Sequence, residues 1–235
     1  MLDTKFWRKY FKSYDILNKA IPYQELLRDI VEAVSVKNGD RIFDAGSGTG
    51  NLSILLKAKG AQVVSFDFSR EGLELHRKKD LSAETIQGDL TQPLPFADGA
   101  FDAVVSNNVI YTLDKKLRPD IFKEFYRILK PGGRIVVANV HRGFAPIKIF
   151  TAHLKRSFVE LGFGATLKDL IKLGAVVIKM FYYNAVIKKE NKTGSYDFMT
   201  ETEQQDLLRQ AGFSNISDNQ VTYAGQSYLN RAVKI

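Results

Sequence analysis

One heptad constrains this chain more than any other stretch: Asp44-Ala45-Gly46-Ser47-Gly48-Thr49-Gly50, between the apolar run Arg41 to Ala45 and a helical pattern from Leu52 to Ala58. Glycines on alternate positions let a backbone turn tightly and let a ligand come close to the main chain. The N–H groups that open the following helix favour an anionic or carboxylate group. Strand, glycine turn and helix make the start of a βαβ unit, and the sequence then repeats the pattern. Gln62 to Phe66 reads as a strand, Arg70 to Lys79 as a helix, and Glu84 to Gln87 and Phe101 to Ser106 as strands. Leu117 to Leu129 reads as a helix and Gly133 to Val140 as a strand, whose run Ile135-Val136-Val137-Ala138 suits burial on both faces. Such alternation implies a mostly parallel sheet with right-handed crossovers.

The glycine spacing narrows the ligand. A dinucleotide fingerprint is G-x-G-x-x-G, whereas here the glycines fall as G-x-G-x-G. That argues against a pyrophosphate at the turn and against a nicotinamide-dependent dehydrogenase. Two further acids stand where the next strands end, in Ser65-Phe66-Asp67-Phe68 and in Gln87-Gly88-Asp89-Leu90. A carboxylate at the second strand tip can accept both hydroxyls of a ribose. One after the third strand can accept from an adenine amine, with Phe68 and Leu90 on the two faces of the ring. A single Asp in such a place is more often a cap or a turn residue. Asp44, Asp67 and Asp89 at three successive strand ends form a pattern, and ligands of open α/β sheets bind outside those ends.

These segments, continued by F-D-A-V-V-S-N-N-V-I-Y-T-L from Phe101 and R-I-L-K-P-G-G-R-I-V-V-A-N from Arg127, resemble class I S-adenosylmethionine-dependent methyltransferases. The nearest branch is that of the ubiquinone/menaquinone C-methyltransferases, to which Tyr14-Asp15-Ile16-Leu17-Asn18 is also similar. The resemblance runs from Tyr10 to Val140 and from Thr200 to Ile235. It implies a doubly wound, Rossmann-like α/β fold: a seven-stranded, mostly parallel sheet whose last strand is antiparallel. The expected organisation is a single domain over 1–235, with N-terminal helices at 5–36 and a helical substrate-cap insertion at 141–199.

Carried over by position, the resemblance implies that Asp44, Gly46, Ser47 and Gly48 line the methionine end of S-adenosylmethionine. Asp67 would hold the ribose, Phe68 and Leu90 the adenine faces, and Asp89 the adenine edge. Asn107 would meet the amino-acid part, Tyr14 would close over the cofactor, and S-adenosylhomocysteine would leave as product. Asn107-Asn108-Val109-Ile110 departs from the Asn/Asp-Pro-Pro-aromatic signature of base and glutamine amino-methyltransferases, which lowers a nucleic-acid target.

Methyl transfer from a sulfonium proceeds largely by positioning and desolvation, so it need not show an obvious acid or base. A phenolic or acidic-carbon acceptor would gain from a general base. His141, at the ligand-facing end of the fifth strand, is the first candidate, and Tyr111, just past the fourth, is the alternative. His76 reads as a solvated side chain. No metal is expected, since no acid and histidine cluster has ligand spacing and there are no cysteines.

The net charge of +8 is concentrated: 141–192 carries ten basic residues against three acidic ones. Within it Leu167, Leu170, Ile171, Val177, Ile178, Phe181 and Tyr182 recur at helical intervals between lysines. That suits a cap around a small, lipophilic acceptor, with peripheral contact to an anionic membrane. The alternatives are an RNA methyltransferase using the basic segment, or a non-catalytic cofactor-binding protein. The charged N-terminus has no apolar signal core, so a cytoplasmic protein is expected.

Overall fold

The computed structural model describes residues 20–192 and 197–235. The described strands are β1 (Arg41–Ala45), β2 (Gln62–Asp67), β3 (Glu84–Gln87), β4 (Phe101–Asn107), β5 (Leu129–Val140), β6 (Gln220–Thr222) and β7 (Ser227–Val233). The helices are α1 (Ile21–Val34), α2 (Asn51–Ala58), α3 (Arg70–Lys79), α4 (Arg118–Ile128), α5 (Pro146–Lys192) and α6 (Glu203–Gln210). The strands form one sheet in the order β3-β2-β1-β4-β5-β7-β6. Pairings from β3 through β5 are parallel, and β7 runs antiparallel to both β5 and β6. The order reverses between β1 and β4, which is where an open sheet makes room for a ligand at its carboxyl edge.

The interior explains why β1 is central. Phe43 is fully buried, and its ring lies 5.3–6.3 Å from those of Phe66, Phe96, Phe101 and Phe125. These tilted and edge-on arrangements are the ones aromatic quadrupoles favour. Pro22 sits in the first turn of α1, where its missing N–H costs nothing. Tyr23, Leu26, Leu27, Ile30, Val31 and Val34 then form one buried stripe, and α1 packs on β5 and α2.

Three expected boundaries shift. β5 begins at Leu129, which pairs with Phe101; the register then jumps to Ala103 opposite Arg134. The jump leaves Pro131, with no N–H to give, outside the ladder. The expected run Phe213 to Val221 pairs as a strand only over Gln220–Thr222, with Ser214 bridged to Val233. α5 is two helical stretches joined across a kink at Gly162, where a turn is expected, but Gly174, also expected as a turn, lies within the second stretch. The expected helix before residue 20, with Tyr14, lies outside the described residues. No helix among the described residues is long and apolar enough to cross a membrane.

Candidate functional site

The glycine turn lies at the carboxyl edge of β1. Gly46, Gly48 and Gly50 have φ values of 77°, 54° and 81°, in the left-handed region that side chains resist. A Cβ on Gly46 would lie 2.2 Å from Val109 Cγ2, and one on Gly50 would lie 2.0 Å from His76 Cδ2. The turn is therefore wedged between the segment after β4 and helix α3. Gly46 and Ser47 donate their N–H groups to the Phe66 carbonyl at 2.8 and 3.1 Å, which fixes the turn against β2.

Asp44 and Asp67 hold this turn from two sides. The Asp44 carboxylate accepts from the Ser53 hydroxyl, and that hydroxyl lies 2.8 Å from Ser65 Oγ. The first turn of α2 is thus tied to the protein's own acid through the Ser53 side chain. Burial, with the nearby charge of Asp67, pushes the Asp44 pKa up to about 7. Asp67 accepts Gly48 N–H on Oδ2 and Ser69 N–H on Oδ1, both at 2.8 Å. Burial pushes its pKa up to about 6. Each carboxylate oxygen has two acceptor positions, so these bonds leave capacity for a pair of ligand hydroxyls.

The adenine expectations fall along the same edge. Phe68 is 39% exposed beside Asp67, and its carbonyl accepts from Gln87 Nε2 at 3.2 Å. Asp89 is exposed and its Oδ1 accepts from the Thr91 N–H and hydroxyl at 2.9 and 2.8 Å, an Asx turn that leaves Oδ2 for an amine. Leu90, next in the chain, is buried. Parallel pairing of Asp67 with Gln87 brings these groups level with the glycine turn.

Of the buried polar atoms with no hydrogen-bond partner among the described residues, two lie along this edge: Ser47 Oγ in the turn and Asn107 Oδ1 at the end of β4. Natural folds rarely strand such atoms, and each needs an explanation. Together with Asp67 and the exposed Phe68, they fit a ligand carrying hydroxyls, an amine and a flat ring. The next residue, Asn108, takes the left-handed conformation (φ 57°) and its side-chain oxygen accepts the Val140 N–H at 3.1 Å. That bends the chain out of β4 towards Tyr111.

Beyond β4 the surroundings become aromatic. The buried Tyr111 stacks on Phe198 with centroids 5.4 Å apart, and Phe198 lies 5.7 Å from Phe144. The buried Tyr23 and Tyr223 meet edge to face at 6.0 Å. Burial raises the Tyr223 phenol above its ordinary range, and the neighbouring phenols of Tyr23 and Tyr111 add to it. Tyr223 itself has φ 55°, a conformation that costs a non-glycine residue about 1–2 kcal/mol and that gathers at functional sites. Arg118, fully buried, donates to the Tyr111, Leu113 and Asp197 carbonyls and to Glu203 Oε1 at 2.7 Å, fixing this wall from behind.

His141 lies past β5 as expected, but its ring nitrogens stand 2.7 and 2.9 Å from the carbonyl oxygens of Arg142 and Gly225, and its ring stacks on Tyr228 at 4.5 Å. His76 corrects the sequence reading: it is fully buried, and neither ring nitrogen has a partner among the described residues. Burial lowers its pKa to about 4, so it is a neutral ring packed under Gly50. Among the described residues no group of acids and histidines is arranged to hold a metal. Tyr23, Tyr223, Phe198 and Arg118 had no sequence signal pointing to the site; Tyr223 read only as part of a hairpin turn.

Comparisons with known proteins give the family and the fold. A family described as a methyltransferase domain matches residues 43–137. A demethylmenaquinone methyltransferase from Clavibacter sepedonicus is 32% identical over 214 residues, covering 86% of this chain and 76% of that protein. One from Paenarthrobacter aurescens is 32% identical over 150 residues, covering 61% of this chain; this match spans only 58% of that relative's length. A phosphoethanolamine N-methyltransferase 2 from Haemonchus contortus, solved in complex with S-adenosyl-L-methionine, shares the fold. Its TM-score is 0.65 at 17% identity, covering 97% of this chain and 57% of that one.

Proposed function

The chain belongs to the class I S-adenosylmethionine-dependent methyltransferases, and we propose that it methylates a small, lipophilic, quinone-like acceptor presented by the Tyr23–Tyr111–Tyr223 wall. S-adenosylmethionine is the donor, and when bound it supplies an electrophilic methyl carbon on a sulfonium. The single observation that carries the acceptor reading is the set of three buried, neighbouring phenols, with Phe198 stacked on Tyr111. A mostly apolar lining with a few convergent hydroxyls is the composition of a small-molecule site. The relatives named demethylmenaquinone methyltransferases point the same way.

In this reading Asp67 accepts the ribose hydroxyls, Asp89 the adenine amine, and Phe68 and Leu90 flank the ring. Ser47 and Asn107 meet the methionine part, and Asp44 keeps the turn and α2 in register beneath it. Aligning the two reacting atoms is worth far more than any single polar contact. Tyr111 orients an acceptor oxygen by hydrogen bonding, and the enclosing aromatics exclude water. His141 serves as the alternative base only by releasing its two carbonyl contacts. The 141–199 segment acts as the cap over the acceptor, and an anionic membrane is where a lipophilic acceptor is met.

The test is a mass-spectrometric assay of methyl transfer to naphthoquinols, simple phenols and short RNAs, with Tyr111→Phe alongside. Naphthoquinols should be the methylated class. Losing one hydrogen bond should lower kcat/KM about 10-fold or more in the variant, with donor affinity unchanged. Methylated RNA, or donor binding with no product from any acceptor, would sink the reading.

A further inference from the structure

Among the described residues, the first part of helix α5 is fastened to α1 by a buried stripe. Ile149, His153 and Ser157, four residues apart, are buried on it. His153 Nδ1 accepts the Ile21 N–H at 3.3 Å, and Arg156 is ion-paired with Glu25. The residues that follow point the other way. Phe158, Val159, Leu161 and Phe163 are 55%, 76%, 62% and 71% exposed, and the helix breaks among them at Gly162, with φ 81° and ψ 175°. Every residue from Phe158 to Gly164 is exposed.

This is not a core stripe turned outward, because the inward stripe of the same helix is already in place. Soluble monomers seldom present adjacent large apolar side chains without a partner for them. The charge nearby selects that partner. Lys148 and Lys155 are exposed on the same helical stretch, where Glu160 is the lone acid before the break. The 141–192 segment holds seven of the chain's eight net positive charges. A second copy docked here would set two such segments against each other. An anionic bilayer offers both complements: hydrocarbon for the apolar tip and phosphate for the lysines.

We infer that the exposed tip around Gly162 (Phe158, Val159, Leu161 and Phe163) inserts into the surface of an anionic phospholipid membrane, with Lys148 and Lys155 on the headgroups. The inference deepens the lipophilic-acceptor reading and rests on it for its sense, since a tip in the bilayer brings the cap to where such an acceptor dissolves. Its test needs no acceptor.

The full chain is floated with vesicles of phosphatidylcholine alone and of phosphatidylcholine with phosphatidylglycerol, at low and high salt. Wild type should float with the anionic vesicles, about tenfold more weakly without phosphatidylglycerol or at high salt. The triple variant Phe158→Ser, Leu161→Ser, Phe163→Ser should lose about tenfold or more of that binding. It should still bind S-adenosylmethionine in calorimetry, which shows that it folds. Lys148→Glu with Lys155→Glu should abolish the preference for anionic lipid. Wild type that stays out of both vesicle types overturns the inference, as does a triple variant that floats as well as wild type. So does a wild-type dimer that the triple variant converts to monomer with flotation unchanged, because the tip then belongs to a second copy. Flotation with no methylation of any lipophilic acceptor upholds the membrane tip and overturns only the acceptor reading.

Discussion

Asp67 does two jobs with one carboxylate. It already satisfies the N–H groups of Gly48 and Ser69, so it holds the turn that shapes the site, and in the proposed reading it accepts the ribose hydroxyls as well. Most acids at strand tips could lose their ligand role without disturbing the fold; this one could not lose its side chain silently. Asp67→Asn keeps the size and one acceptor oxygen but gives up the charge. A hydrogen bond to a charged group contributes about 1.5–3 kcal/mol, so donor affinity should fall about 10- to 100-fold in calorimetry. Asp89→Asn should fall less, because Asp89 is exposed and water can stand in for it. Equal losses at the two positions would mean that Asp67 acts only through the turn.

At the scale of elements, the strand–turn–helix order and the place of Asp44, Asp67, Asp89 and Asn107 at or just after strand ends were legible because each is local: a glycine, a polar residue and a period-2 run lie within a few residues. The tyrosine wall was not legible. Tyr23 comes from α1, Tyr111 from the turn after β4 and Tyr223 from the β6–β7 hairpin, and only the sheet order brings them together. His76 was misread for a different reason. It stands in the basic run His76-Arg77-Lys78-Lys79, which looks solvated, yet it is three residues from Leu73 and four from Gly72, on the buried stripe of α3. Periodicity should have outweighed local charge. Arg118 shows the same tension at the start of α4, where a guanidinium is wholly buried and ties together segments about 80 residues apart in sequence. Arg118→Met would leave Glu203 with its buried partner gone, and removing one member of such a pair costs about 3–5 kcal/mol. Chemical denaturation should show that loss, and Arg118→Met with Glu203→Leu should recover much of it. Because Arg118 also holds the Tyr111 carbonyl, the double variant should still turn over poorly, separating stability from positioning.

Over the whole molecule, buried titratable groups near the site set how stability depends on pH without ligand. Asp44 and Asp67 are raised from 3.8 to about 7 and about 6, so their contribution is full below pH 3.8 and is lost as pH rises through 6 and 7. His76 is lowered from 6.5 to about 4, so its contribution is full above pH 6.5 and is lost as pH falls towards 4. The two carboxyls outnumber the histidine between pH 4 and 6, and from 6.5 to 7 Asp44 acts alone. Asp80, lowered to about 2, makes its difference only in more acid solution. Unliganded protein should therefore lose stability from pH 5 to 7.5, at about 1.4 kcal/mol per pH unit for each net proton. The net is about 2 kcal/mol, which for a chain of this length is a fall in Tm of roughly 4–8 °C. The donor is a cation, so its charge favours both carboxylates in their ionised form. Bound to S-adenosylmethionine, the protein should keep its Tm across the same range, while S-adenosylhomocysteine, which lacks the sulfonium, should remove less of the fall. Thermal melts from pH 5 to 8 with either ligand would decide it. A flat unliganded curve would mean that both carboxylates are ionised before the donor arrives, and the two ligands should then bind with the same pH dependence.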